Sequence, residues 1–116
     1  MTTDISRGEI WWLDWSPGRG SEQVGRRPGL VVQSDVANHN PRYHNLIVVA
    51  VSSKGSNVPF HIALAASEQS GLAIPSYAKC EQLMTTSKDR LERRLGRVTE
   101  DELTAVDAAL RLVLDL

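Results

Sequence analysis

The residues of this chain best suited to chemistry on a phosphate ester gather in one stretch rich in glycine and proline, Ser16-Pro17-Gly18-Arg19-Gly20-Ser21-Glu22-Gln23-Val24-Gly25-Arg26-Arg27-Pro28. A carboxylate, Glu22, stands five positions before a guanidinium, Arg27, with Arg26 beside it and rigid Pro28 behind. A carboxylate can take a proton, and a guanidinium can donate two hydrogen bonds to one phosphate while stabilising its developing charge. Such a pair fits phosphodiester cleavage. On spacing alone the plainer reading is a solvated Glu–Arg pair, which is common and weak. Ser52 and Ser53 end an apolar run and offer hydroxyls to a transition-state oxygen. The Lys54-Gly55-Ser56-Asn57 that follows reads more simply as a turn which they open.

Other chemistry-bearing residues point less clearly. His39, His44 and His61 share no ligand-like spacing, so no metal site is expected from them. His39 and His44 fall in a polar loop and read as solvated, and His61 reads as a partly exposed strand residue. Cys80, the only cysteine, excludes an internal disulfide and a cysteine-rich zinc site and reads as a small buried apolar side chain. Trp11 and Trp15 lie on one face of an extended segment and Trp12 on the other. One face goes to a core or an interface and the other is free to stack on a nucleobase, the core or interface reading being the plainer. No strand–GxxxxGK[ST]–helix phosphate loop, nucleophile elbow or HExxH is present.

These residues need elements to hold them. Glu9–Trp15, aromatic and bounded by Gly8 and Ser16-Pro17-Gly18, predicts a strand; Leu30–Gln33 predicts a second. Asn45–Ser53 is a nearly continuous apolar run, the pattern of a strand buried on both faces. Asn57–Leu64 predicts a fourth strand, with Pro59 placing its start on an edge, and Ser76–Met84 a fifth. Thr86 or Ser87 caps a short turn through Asp89-Arg90-Leu91. Thr99 with Glu102 makes a capping box, flanked by Val98 and Leu103 at staple positions. Leu103, Val106, Leu110, Val113 and Leu114 then recur at helical spacing. Short strands plus a terminal amphipathic helix predict a small barrel or tightly curled antiparallel sheet, in a single domain over residues 1–116.

Composition sets the outer bounds. The 116 residues are 41% hydrophobic and 23% charged, an ordinary globular balance. No apolar run approaches the roughly 20 residues that span a bilayer, and the first residues lack a signal-peptide pattern. A cytoplasmic protein is expected. The net charge of −1 divides unevenly: five acids and one base fall in residues 99–116, leaving twelve bases against nine acids in the body. A mildly basic body is compatible with a phosphate-binding face.

Taken together, the segments resemble a known family. Arg7-Gly8-Glu9-Ile10-Trp11-Trp12-Leu13-Asp14, Gly20-Ser21-Glu22-Gln23, Arg27-Pro28 and the strand ending in Gln33 look like the opening of MazF/PemK-type toxins. The likeness continues through Asp35-Val36-Ala37-Asn38, Val49-Ala50-Val51-Ser52, Gly71-Leu72, Glu81-Gln82-Leu83, Lys88-Asp89-Arg90-Leu91 and Gly96 into the terminal helix. The resemblance implies a mainly β fold with α, an SH3-like small barrel of about five to seven strands with a C-terminal amphipathic helix, assembled as a homodimer. It implies sequence-selective, metal-independent cleavage of single-stranded RNA with no cofactor, neutralised by a cognate antitoxin. Carried over by position, Arg27, Ser52 and Glu22 are the expected catalytic residues. Gln82 occupies a position that touches RNA, and Arg26, Arg19 and Gln23 are expected to assist in binding. The implied reaction is attack of a ribose 2′-hydroxyl on the neighbouring phosphorus, giving a 2′,3′-cyclic phosphate and a 5′-hydroxyl. Met84 and Ser87 replace an arginine and an acid found in many members. A second class stays open: SH3-like barrels also serve as non-enzymatic binding modules, and the fold includes a gyrase-inhibiting toxin.

Overall fold

A computed structural model describes residues 4–15 and 25–116. Glu22, Arg19 and Gln23 therefore lie outside the described residues. Six antiparallel strands form one sheet: β1 (Glu9–Asp14), β2 (Arg26–Val31), β3 (Asn45–Ser52), β4 (His61–Leu64), β5 (Ser76–Ser87) and β6 (Leu91–Arg97). Their order is β4-β5-β3-β2-β1-β6. A short helix α1 (Asp35–Asn38) follows β2, and α2 (Glu100–Leu114) ends the chain. The SH3-like expectation holds, with β4 and β6 as the edges of the sheet among the described residues rather than a hydrogen-bonded closure.

The two central strands, β3 and the end of β2, are buried on both faces. Along β3, Val49 and Val51 enter one core while Leu46, Val48 and Ala50 enter the other. Leu30 and Val31 divide in the same way on β2. This strict alternation accounts for the unbroken apolar run in β3. The first core is covered by α2, whose Val106 and Ala109 are buried and whose Leu103, Leu110 and Val113 pack against it. The capping box is present: Thr99 Oγ1 accepts from Glu102 N–H at 3.1 Å and Glu102 Oε1 accepts from Thr99 N–H at 2.8 Å. Leu114 departs from expectation, lying outside both cores and about half exposed as the helix runs past the sheet. The second core holds Ile5, Leu13 and Trp15, with Trp11 packed against it.

Four boundaries differ from the sequence reading. β2 begins at Arg26, inside the stretch read as loop, because β1 pairs it from Asp14↔Arg26 to Ile10↔Leu30. Pro28 is accommodated opposite Trp12. β4 is only four residues long. β5 continues to Ser87, paired with β3 on both sides of a register shift. β6 was not legible at all, since Leu91-Glu92-Arg93-Arg94-Leu95-Gly96-Arg97 has no apolar alternation. It is recruited through backbone pairing with β1, and its charges suit an exposed sheet edge.

A polar knot ties α1 to the start of the 3-10 turn at Lys88–Arg90. Gln33 Nε2 donates to Asn38 Oδ1 and Asn45 O, and Asn38 Nδ2 donates to Gln33 O and Asp35 Oδ1. Lys88, 1% exposed, donates from Nζ to the carbonyls of Ala37, Asn38 and Asn40 at 2.9, 3.0 and 3.2 Å. Each ammonium proton has an acceptor, and the C-terminal carbonyls of α1, which a helix cannot satisfy internally, find donors. Burial pushes the Lys88 ammonium below its usual range. Ser87 caps the turn as expected, its hydroxyl accepting from Asp89 N–H.

Candidate active site

Pairing of β2 with β3 brings the expected Arg27 and Ser52 together. The register joins Gly29 to Ala50, Leu30 to Val49 and Val31 to Val48. Carried two residues outward, it sets Arg27 level with Ser52. Both residues line a cleft of about 660 Å³. Three further cations line it: Lys54 from the turn after β3, Lys79 from β5 and Arg93 from β6. Among the described residues no carboxylate and no imidazole does so.

Three arginines outside the cleft are held in ion pairs. Arg26 sets its Nε on Glu92 at 2.9 Å, Arg94 bonds Glu9 at 2.8 Å, and Arg7 bonds Asp107 at 2.6 Å. The hydrogen bond and the charge of Glu9 raise the Arg94 guanidinium further above its already high value. By contrast Arg27, Lys54, Lys79 and Arg93 enter no ion pair among the described residues. Like charges gathered without partners repel, and a bound anion relieves that repulsion. Such a cleft suits a phosphate chain.

Local sequence explains the shape. Gly71 adopts φ +70°, a conformation in which a β-carbon would also collide with the Leu95 carbonyl. Glycine there lets the Gly71–Ile74 segment close against β6 as one wall. Opposite, the Ser52 hydroxyl accepts from Lys54 N–H at 3.1 Å. The two readings of Ser52 thus coincide, since it opens a turn and its own O–H proton stays available inside the cleft.

The remaining expected residues sit elsewhere. Arg26 is held by Glu92 and does not line the cleft. Gln82 also lies outside the lining, within Cys80–Gln82, the three-residue break where the β3–β5 register jumps from Val49↔Leu83 to Ala50↔Lys79. Its Oε1 is buried and meets no hydrogen-bond donor among the described residues. The structure brings together Arg27 and Ser52, places Trp12 beside them, and adds Lys54, Lys79 and Arg93, which sequence reasoning missed. Trp12 was signalled by alternation alone, since it falls on the face opposite Trp11 and Trp15. Arg93 carried no signal because its strand was not legible.

His61 is a partly exposed strand residue as expected, at the start of β4, but its ring is well enclosed. Its side chain is 8% exposed: Nδ1 accepts from Ser56 N–H at 2.9 Å, and Nε2 lies 2.7 Å from Glu81 Oε2. With Nδ1 occupied as an acceptor, the neutral ring carries its proton on Nε2 and donates to Glu81. His61 thereby clamps the turn carrying Lys54 to the break in β5. Cys80 is fully buried as expected, and burial, with the Glu81 charge, pushes its thiol up to about 11. Among the described residues no three His, Cys, Asp or Glu side chains converge as metal ligands. No helix among them is long and apolar enough to cross a membrane.

Comparison with known proteins extends this geometry. The chain is 40% identical to endoribonuclease MazF9 of Mycobacterium tuberculosis over 97% of its length and 98% of that protein's. It is 34% identical to endoribonuclease MazF of Staphylococcus epidermidis, covering 97% of this chain and 92% of the relative. MazF of Deinococcus radiodurans superposes with a TM-score of 0.81 at 24% identity, over 97% of both chains. A mycobacterial endoribonuclease solved in complex with its cognate antitoxin gives 0.80 at 23% identity, over 97% and 96% of the two chains. The family model described as PemK-like, MazF-like toxin of type II toxin–antitoxin systems matches residues 6–114, and the chain belongs to that family.

Proposed function

We propose that this chain is a sequence-selective endoribonuclease toxin which cuts single-stranded RNA without a metal and is silenced by a cognate antitoxin. The single observation that carries the reading is the cleft in which Arg27 and Ser52 meet among cations that have no ion pair among the described residues. Family membership and the naming of relatives as endoribonucleases support it.

In the proposed reaction the ribose 2′-oxygen attacks phosphorus and the bond to the 5′-oxygen of the next nucleotide breaks. The products are a 2′,3′-cyclic phosphate and a free 5′-hydroxyl. Arg27 stabilises charge on the phosphoryl oxygens and supplies a proton to the leaving oxygen. Ser52, whose lone pair is engaged by Lys54 N–H, fixes the phosphate by donating a hydrogen bond from its hydroxyl. The cleft needs a proton acceptor for the 2′-hydroxyl, and its described lining offers none. Glu22 is assigned that role, five positions before Arg27 in the chain.

We further assign a homodimer, a cytoplasmic location, and roles in RNA binding to Arg19, Gln23, Arg26 and Gln82. Solved relatives bound to their antitoxins support the antitoxin as partner. The deciding experiment incubates a long unstructured RNA with excess EDTA and maps the new ends, comparing the intact protein with Arg27→Ala. Discrete cuts bearing cyclic phosphates, absent in the variant, are expected. Absence of cutting by folded, antitoxin-free protein would sink the enzyme and favour a non-enzymatic binder, including one acting on gyrase.

A further inference from the structure

We propose that Trp12 is a stacking platform for one nucleobase of the bound RNA, flanked by Pro28 and Arg93. The inference deepens the ribonuclease reading and rests on it. Three tryptophans in five residues meet three different fates. Trp15 is 1% exposed in the second core and its indole N–H donates to Arg27 O at 3.3 Å. Trp11 packs against the same core and donates to Glu9 Oε1 at 3.1 Å. Trp12 points to the other face, belongs to neither core, stays half-buried and lines the cleft. Among the described residues its indole N–H bonds to nothing. Its cross-strand partners are Pro28 on β2 and Arg93 on β6, and both also line the cleft.

The surroundings identify the occupant. A nucleotide chain alternates flat apolar bases with anionic phosphates. This cleft likewise sets an indole, Leu72, Ile74 and Leu95 among four cations and no described carboxylate. An acidic peptide would satisfy the cations but gives an indole face no regular partner. Stacking on an aromatic ring is the ordinary means of holding an unpaired base, and it tolerates any base because each has a π-face. Arg93, paired with Trp12 across the strands, is placed to take the phosphate beside that base.

The test uses an RNA carrying a 2′-deoxyribose at its mapped cut site, so that it binds without being cut. Each flanking base is then removed in turn by abasic substitution. Dissociation constants are measured for the intact protein, Trp12→Leu and Trp12→Phe. One abasic position is expected to weaken binding by the intact protein roughly 5- to 150-fold, the range for one stacked base. Trp12→Leu should bind intact RNA more weakly by a similar factor and lose nothing further at that position. Trp12→Phe should keep most of the affinity. Losses that simply add, or a Trp12→Leu variant that binds as tightly as the parent, would overturn the platform. If Trp12→Leu misfolds, tryptophan emission decides: saturating RNA should quench the intact protein and leave Trp12→Phe nearly unchanged, and no quenching of the intact protein refutes the proposal. A protein that neither binds nor cuts RNA fails the parent reading, whereas one that cuts normally with additive losses fails this inference alone.

Discussion

The cleft and the polar knot contain similar residues and use them in opposite ways. Lys88 in the knot gives its three protons to three backbone carbonyls, with Gln33, Asn38 and Asp35 bonded around it. Lys79, Arg93, Lys54 and Arg27 in the cleft have no ion-pair partner among the described residues. A buried charge whose valences are all filled by the fold has nothing left for a ligand. Cations gathered around an open cleft carry a repulsion that only an external anion removes. The difference teaches that type and motif do not separate a functional cation from a structural one. The satisfaction of its hydrogen bonds does.

That contrast can be broken first at its extremes. Arg27→Ala should lower the rate of RNA cleavage about 10²- to 10³-fold, the usual loss when one charge-stabilising donor is removed, as read by single-turnover kinetics. Its melting temperature should stay close to the parent's, because an exposed surface side chain supports little of the fold. Lys88→Met should do the reverse. With three carbonyls left without their donor, it should lose about 2–4 kcal/mol in denaturant unfolding while cleavage per folded molecule is retained. A Lys88 variant that melts normally yet fails to cut would erase the distinction.

Smaller effects sharpen it. Lys79→Gln and Arg93→Gln should each flatten the dependence of log binding constant on log salt by about 0.7, as expected for one lost phosphate contact on a single strand. Arg94→Gln, which loses a bond to Glu9 instead, should leave that slope unchanged. Asp35 gives the pH counterpart in the knot. Burial pushes its carboxyl up, but hydrogen bonds from Asn38 and from Arg7 N–H, with the charges of His39 and Arg7, outweigh this and hold it below the usual range. Its contribution to stability is therefore present above about pH 4 and lost as pH falls through the lowered value. Melting temperature should decline less steeply below pH 4 in Asp35→Asn than in the parent.

Legibility in the sequence followed how local each signal was. The helix at Glu100–Leu114 was readable because its capping box and apolar spacing sit within one segment. β3 was readable because burial on both faces leaves an unbroken apolar run. β6 was hidden, since its pairing with β1 uses backbone groups that every residue possesses. The start of β2 was hidden for the same reason, with Arg26-Arg27-Pro28 resembling loop chemistry until β1 pairs with it. Within the site, Arg27 and Ser52 were found through family likeness, while Lys79 and Arg93 were not, because they reach the cleft from strands far away in the chain.

By itself the sequence determined the β-rich class, the double-faced burial of β3, the capped terminal helix and the likeness to a toxin family. These depend on side-chain periodicity and on short motifs, which are properties of neighbours along the chain. Only the tertiary structure decided that Lys88 is consumed by carbonyls, that Arg26 is engaged by Glu92, and that Trp12 shares a cleft with Arg27, Ser52, Lys79 and Arg93. Those outcomes turn on strand order and register, which place residues from five strands and two turns around one cleft. No local pattern encodes which distant group will fill a given hydrogen bond.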